Sequence, residues 1–503
     1  MVDSTKLAVA LSALESLQRG GRSVFRSGEF SRLQRERLTR AGYLQPVMPG
    51  WVLSTSPTAS AGDSTPWYAS FWEFVGAYCE NRFGDGWHLA PLPSLFIEVE
   101  DWSIPVQLLV YATRAGSRPI ELPFGCSLLV TRPSRPARDD ECAQVHGLRI
   151  LTTEAAFARL PESAFRSHPL ELRTALATRV DVSRLLRVLL DASQPVVAGR
   201  LAGALRHVGR GDQADEVIKT MRAADHDVRE TDPFNGPPPR TPTLVYRSPL
   251  SVRLADFWGA MRADVLREFP PPPGRVGDVD AYMARVDDGY SADAYHSLSI
   301  EGYRVSEALI EKVRSGRWKP EGADKDSRDA MAAKGYALAF GAVRSAVRRA
   351  AAGENPGAIA RAEHMRWYRE LFGPSVAAGL LQTRDLAGYR NGPVFIRASR
   401  HVPPRAEAVP AAMQTLFELL ERESEPAVLA VLGHWLFGYV HPYQDGNGRM
   451  ARFLMNVMLA AGGHAWTVIR VEDRDEYLQA LEQASVGREI VPFARFLASR
   501  VGR

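Results

Sequence analysis

The tightest constraint on this chain of 503 residues is a pair of apolar runs separated by one short, glycine-bearing loop. Ala427–Val440 holds fourteen residues, no charge and a single histidine, His434. That is too short to cross a bilayer, so the helix it forms must be buried within a folded domain. Met450–Ala461 is the second run, with Phe453, Leu454, Val457 and Met458 repeating on one face of a helix. The loop between them therefore sits between two buried helices and opens the second at its N-terminus.

Around this pair the chain divides by composition. Residues 1–60 are rich in arginine and read as helix, turn, helix and a two-stranded wing. Residues 66–230 mix strand-like runs (Ser94–Val99, Val106–Tyr111, Cys126–Thr131) with later helices such as Ser183–Ala192 and Val197–Gly209. Residues 231–245 are proline-rich and read as a stiff connector, because proline lacks an amide donor and fixes φ. From residue 246 to the end the pattern is helical, so the fold class expected is mainly α with an α+β middle domain. Lys and Arg total 62 against 58 Asp and Glu, a net charge of +4, too small to make the whole protein a nucleic-acid binder. Three scattered cysteines, Cys79, Cys126 and Cys142, fit neither a disulfide framework nor a zinc site and point to a reducing, cytoplasmic setting. The amphipathic start is no signal peptide, and no membrane association is expected.

The loop His441-Pro442-Tyr443-Gln444-Asp445-Gly446-Asn447-Gly448-Arg449, continuing to Arg452, gathers the groups that phosphoryl or nucleotidyl transfer needs. Gly446 and Gly448 remove side chains where backbone amides would approach an anion, and the helix start supplies unpaired N–H groups and a positive dipole end. Asp445 offers a hard oxygen to a divalent cation, and Arg449 and Arg452 are phosphate forks. His441 is the side chain suited to proton abstraction near neutral pH.

This segment resembles the signature HPFx[D/E]GNGRxxR of Fic-domain proteins, with Tyr443 in place of the commoner Phe. The resemblance implies an all-α C-terminal domain with a β-hairpin flap, which transfers AMP from ATP to a hydroxyl of a target protein. On it, His441 is the catalytic base and Asp445 holds Mg²⁺. Gly446, Asn447 and Gly448 grip the α-phosphate, and Arg449 and Arg452 hold the outer phosphates. Relatives that act as kinases carry Lys at the position of Gly448, so glycine favours nucleotidyl transfer. Val394, Phe395 and Ile396 resemble the flap that pairs with an extended target segment. Trp466–Ile469 and Tyr477–Leu481 resemble the segment that closes around adenine, with Tyr477 over the base; Ser485 stands where many relatives carry Asn.

Ser297-Leu298-Ser299-Ile300-Glu301-Gly302 matches the family's inhibitory pattern [S/T]xxxE[G/N], on a helix expected around residues 293–306. Ser297 and Glu301, four apart, share a helix face. The resemblance pairs Glu301 with Arg452 and makes the enzyme autoinhibited. In some relatives the same glutamate supports removal of AMP, so the direction of reaction stays open, as does a homodimer.

Residues 1–60 resemble the winged-helix head of AbiE-type antitoxin regulators, and residues 66–230 loosely resemble that family's C-terminal region. Phe30, Leu33 and Leu38 are expected to face a core, leaving Arg32, Gln34 and Arg35 to meet DNA, since arginine and glutamine suit phosphates and base edges. The alternative to an enzyme is thus a DNA-binding, antitoxin-like regulator whose C-terminal half only binds nucleotide.

Overall fold

The computed structural model describes residues 2–57, 62–116, 118–234, 248–318 and 325–501. Chain contacts divide it into one unit of Met1–Pro238 with Phe395–Val402, and a second of Pro239–Val394 with Pro403–Arg503. The connector expected at 231–245 lies, from residue 235 onward, outside the described residues.

The first unit begins with α1 (Val2–Leu17), β1 (Val24–Arg26), a 3-10 turn at Ser27–Glu29, α2 (Arg32–Arg40), β2 (Leu44–Met48) and β3 (Trp51–Ser54). The strands form an antiparallel sheet in the order β1-β3-β2, with Val24 opposite Leu53 and Leu44 opposite Ser54. Phe30 and Leu38 enter the small core, but Leu33 is 59% exposed. The reason is the start of α2: Ser31 caps it, so Phe30 packs from an extended residue ahead of the helix and shares no face with Leu33.

This head does not stand apart from the middle region. Glu73, on α3 (Thr65–Phe83), accepts the Ser23 and Val24 amides at 2.9 and 3.1 Å and the Ser23 hydroxyl at 2.5 Å. Trp51 meets Phe74 edge-on at 5.7 Å. The separation that composition suggests near residue 60 is closed by these contacts. The middle sheet, β4 (Trp87–Leu89), β5 (Gln107–Ala112), β6 (Ile120–Glu121) and β7 (Ser127–Thr131), has the order β4-β5-β7-β6 with β5 and β7 parallel. Two of the three strand-like runs are thus strands. The third, Ser94–Val99, lies mostly within helix α4 (Pro91–Glu98): Pro91 starts its first turn, and a short apolar run does not by itself choose between helix and strand. Helices α5 (Val182–Asp191) and α6 (Pro195–His207) fall where periodicity places them.

The second unit is helical. Its site-bearing elements are α7 (Tyr290–Ile300), α8 (Lys325–Ala351), α9 (Pro356–Ala377), α10 (Pro426–Val440), α11 (Asn447–Ala461) and α12 (Arg474–Val486). All of 427–440 except Gly438 is buried, as an apolar helix without a polar face demands. No described helix is long and apolar enough to cross a membrane. The expected β-hairpin flap is absent: residues 388–404 contain no strand. Pro393, Pro403 and Pro404 withhold ladder donors, and the Arg390 amide is already committed to the Pro442 carbonyl at 2.9 Å. Val394 is buried in the second unit, whereas Phe395 and Ile396 fall in the first, where the Ile104 amide donates to the Arg400 carbonyl at 2.8 Å.

Candidate active site

The loop from His441 to Gly446 is held by backbone-directed side chains. His441 ends α10 in the left-handed region at φ 51°, its amide still donating to Phe437 at 3.0 Å. Arg390 braces that turn, donating to the carbonyls of His441 at 2.8 Å, Gly392 at 3.0 Å and Pro404. Burial pushes its guanidinium down to about 10. Asn447 locks the far side: its carbonyl oxygen accepts the Tyr443 amide at 2.9 Å and its amide donates to the Tyr443 carbonyl at 2.8 Å. The Asn447 side chain thus braces the loop through one of its two amide N–H groups and its oxygen. Gly446 turns at φ 80°, and a Cβ there would sit 2.7 Å from the Phe372 ring.

This bracing aims the imidazole. Nδ1 of His441 lies 3.2 Å from the Gly438 carbonyl, which can only accept; the proton is fixed on Nδ1 and the Nε2 lone pair is left over. Burial lowers the imidazole to about 4, so it is neutral at pH 7.

At the start of α11 the first intrahelical bond is Met450 N–H to Gly446 O at 3.0 Å, so the preceding amides point out of the helix toward solvent or a ligand. Two buried arginines flank them. Arg449, 1% exposed, lies between the rings of Tyr303 and Phe372 at 5.1 and 5.0 Å and reaches Asp445 at 3.5 Å. Asp445 accepts the Gly446 amide at 2.6 Å yet keeps its side chain 58% exposed. Arg452 donates from Nε to the Ser297 hydroxyl at 2.9 Å and from Nη2 to the Ser297 carbonyl at 3.1 Å and Glu301 at 2.7 Å. Burial alone would raise the Glu301 carboxyl, but Arg452 and Arg449 together outweigh it and hold it below the usual carboxylate range.

The spacing of Ser297 and Glu301 thus brings both to Arg452. Gly302, at φ 86°, turns the chain away just beyond α7. Gly448 is required by the same arrangement: a Cβ there would stand 2.2 Å from the Glu301 carboxylate and 3.2 Å from Arg452. A carboxylate thus occupies the mouth of the helix where an anion would be received.

Tyr477, on α12, is 2% exposed, with its ring against Phe493 and Phe496, so it offers no open face to a base. Its hydroxyl lies 2.7 Å from His434 Nε2. Ser485 accepts the Trp435 indole N–H at 3.0 Å. Of the residues expected to meet DNA, Gln34 accepts the Ser31 amide at 2.9 Å as part of the helix cap, and Arg35 donates to the Ser27 carbonyl at 3.1 Å. Arg32, 84% exposed, is held only by Glu36 on its own helix at 2.9 Å. Tyr303 and Phe372 are the contributors that the sequence pattern does not single out; their signal is contact with Arg449 across elements, not spacing.

Among the described residues no group of three or more His, Cys, Asp or Glu side chains converges as a metal cage. The outward oxygen of Asp445 suits a cation that takes its other ligands from phosphate and water.

Residues 361–459 match the Fic/DOC family. Two curated relatives are both named protein adenylyltransferase Fic. One from Nematostella vectensis is 42% identical over 114 residues, 22% of this chain and 26% of its own length. The other, from Aedes aegypti, is 25% identical over 228 residues, 44% of this chain and 42% of its own length. The chain thus spans less than half of either relative. Among solved structures, a Fic domain containing signaling protein from Bacteroides thetaiotaomicron aligns over 50% of this chain and 92% of its own at 20% identity and a TM-score of 0.35. A Fic-1 fragment from C. elegans aligns over 63% and 83% at 17% identity and a TM-score of 0.36.

Proposed function

The C-terminal half of the chain carries a Fic domain, and on that premise we propose that it transfers AMP from ATP to a serine, threonine or tyrosine hydroxyl of a target protein, releasing pyrophosphate. One observation carries this reading: a neutral imidazole with a free Nε2 stands on the loop that leads into a glycine-lined helix start flanked by two arginines. Nε2 of His441 takes the hydroxyl proton as the oxygen bonds to the α-phosphorus, and the bond from that phosphorus to its leaving oxygen breaks. The amides of Asn447 and Gly448 face the charge that develops, and Arg449 and Arg452 receive the departing pyrophosphate. Mg²⁺, held through Asp445, supplies charge neutralisation on the phosphates when bound. Val394, Phe395 and Ile396 are the segment that would receive the target, as an extended strand without a preformed hairpin.

In this reading Glu301 is a brake. It takes the guanidinium that would hold the outer phosphates and sets a negative charge where the triphosphate must lie. The test is incubation of the wild type, Glu301→Gly and His441→Ala with Mg²⁺ and ATP labelled at the α-phosphate. Labelling should be low in the wild type, strong in Glu301→Gly and lost when His441→Ala is added. Equal labelling of wild type and Glu301→Gly would remove the brake, and label surviving in His441→Ala would remove the base. Loss of AMP from a pre-labelled protein only while Glu301 is intact would instead assign removal of the group.

A second reading concerns the head, where a helix capped by Ser31 leads into a three-stranded sheet with Arg32 projecting into solvent. This arrangement supports a winged helix that contacts DNA phosphates. Retention on duplex DNA should fall steeply with salt and weaken in Arg32→Ala; salt-independent retention would refute it.

A further inference from the structure

Away from the loop and its two arginines, the other end of α7 opens on a cavity of about 370 Å³. One of its walls is a stripe of α8: Lys334, Leu338, Gly341 and Arg344 follow at spacings of three or four residues, which places them on one helix face. Tyr290, the first residue of α7, and Arg314, the last of the helix Glu307–Arg314, line it as well. So does Phe340, 5% exposed, whose ring lies 4.8 Å from that of Tyr290. Tyr290 stands eleven residues ahead of Glu301, about 16 Å along a helix, so this cavity is distinct from the start of α11.

The charges that line the cavity do not cancel. Arg344 is committed to Asp287, donating from Nε and Nη2 at 2.6 and 2.7 Å. Arg314 and Lys334 form no ion pair with a described residue, and the Arg314 guanidinium instead lies over the Tyr290 ring at 5.0 Å. A dianion offsets two such cations, whereas a monoanion leaves one of them unmatched. The middle of the stripe is apolar and open. Leu338 is 45% exposed, and a Cβ added at Gly341 would meet no atom within 4 Å. Tyr290 adds an unmet polar group: it is 2% exposed, yet its hydroxyl has no hydrogen-bond partner among the described residues. A buried polar atom without a partner is uncommon and costly. Burial pushes this phenol up, so it remains a donor at neutral pH.

We propose that this cavity binds a phosphate monoester carried on a compact apolar body. The dianion meets Arg314 and Lys334, the body covers Leu338 beside Gly341, and the Tyr290 hydroxyl donates to the ligand directly or through one water. A cavity of this volume matches a small organic molecule. The site stands whether or not Glu301 is a brake.

The probe is phenyl phosphate, titrated by calorimetry into the full chain without nucleotide or metal. One site with a Kd on the order of 1 mM or tighter is expected. Benzoate, with one charge fewer, and inorganic phosphate, without the body, should bind at least about tenfold more weakly. Lys334→Ala and Arg314→Ala should each weaken phenyl phosphate by about fivefold or more. Gly341→Leu fills the open middle and should abolish binding, while the loss of a glycine from a helix interior leaves Tm no lower. Tyr290→Phe should weaken binding about two- to tenfold and also leave Tm no lower, because the hydroxyl it removes has no partner within the fold. A tyrosine of merely structural value would lower Tm and spare binding. Absence of saturable binding, binding retained in Gly341→Leu, or inorganic phosphate bound as tightly overturns the proposal. Binding that Glu301→Gly strengthens and Gly341→Leu leaves alone belongs to the start of α11 and overturns it equally, whatever the fate of AMP transfer.

Discussion

Replacing Glu301 by glutamine separates the charge of the proposed brake from its bulk. Glu301→Gln keeps the side-chain length and an acceptor oxygen facing Arg452 but removes the negative charge. The bond it weakens is a 2.7 Å ion pair in which Arg452 is 3% exposed and Glu301 26% exposed. A hydrogen bond between charged partners contributes about 1.5–3 kcal/mol, and a side chain a quarter open to water belongs at the lower end, about 1.5–2 kcal/mol. At about 1.4 kcal/mol per decade, opening the site for ATP should become about 10- to 30-fold easier. Ser297 still holds Arg452 through two bonds at 2.9 and 3.1 Å, so the arginine stays at the site to meet a phosphate. The assay is the initial rate of self-labelling at sub-saturating ATP, with Glu301→Gly as the fully released reference. The expected order is wild type, then Glu301→Gln, then Glu301→Gly. If Glu301→Gln labels no faster than wild type while Glu301→Gly does, the block is steric and the electrostatic reasoning fails. The charge also has a stability signature. Because the Glu301 carboxyl titrates below its ordinary range, the stability its charge contributes is present in full at neutral pH and is lost as pH falls through its folded-state value. Glu301→Gln should abolish that part of the acid loss in a melting series.

Three further outcomes follow from the loop geometry. With His441 lowered to about 4, the pH profile of labelling by Glu301→Gly should stay level from pH 7 down to about 5 and fall only below it; an acid limb near 6.5 would show an ordinary, solvated imidazole. Its linked stability runs the same way, since the unfolded chain binds the extra proton between about 6.5 and 4 and the fold weakens as pH drops through that window. Arg390→Ala strips donors from the carbonyls of His441, Gly392 and Pro404 and should cost about 2–4 kcal/mol, a melting decrease of about 5–15 °C by calorimetry; an unchanged Tm would mean that the brace is dispensable. Gly446→Ala places a Cβ 2.7 Å from Phe372 at a φ of 80°, and should lose about 1–3 kcal/mol, of which Phe372→Leu recovers only the steric share; full recovery in the double variant would show that the backbone is unstrained.

What could be read from the sequence was local. The two apolar helices, the loop between them and the alignment of Ser297 with Glu301 depend on spacings of a few residues, and helical periodicity transmits those directly. The side-chain contacts of Asn447 and Tyr477 did not follow in the same way. Asn447 is at the expected place, yet its side chain faces Tyr443, because a loop that turns at His441 and again at Gly446 needs its own carbonyl and amide satisfied. Tyr477 is buried because α12 packs its ring against Phe493 and Phe496. Arg390 reaches the site loop through carbonyls at His441 and Pro404, 51 and 14 residues away, separations at which no spacing rule operates. The segment 393–404 shows the converse. Its apolar residues suggest a strand, but its prolines and the partner already taken by Arg390 leave it without one.

The charges gathered at the start of α11 would be unfavourable without a counter-charge. A helix start and two guanidiniums, 1% and 3% exposed, are gathered where little water can solvate them, and like charges in such surroundings repel more strongly than at a surface. An anion beside them offsets that repulsion. A carboxylate from α7 meets that need, and only a glycine at position 448 leaves room for it. In the proposed function, a brake at Glu301 would therefore be more than an addition to a finished active site: standing in for a phosphate, its carboxylate would let so concentrated a set of charges exist without a ligand, and inhibition would follow from that substitution.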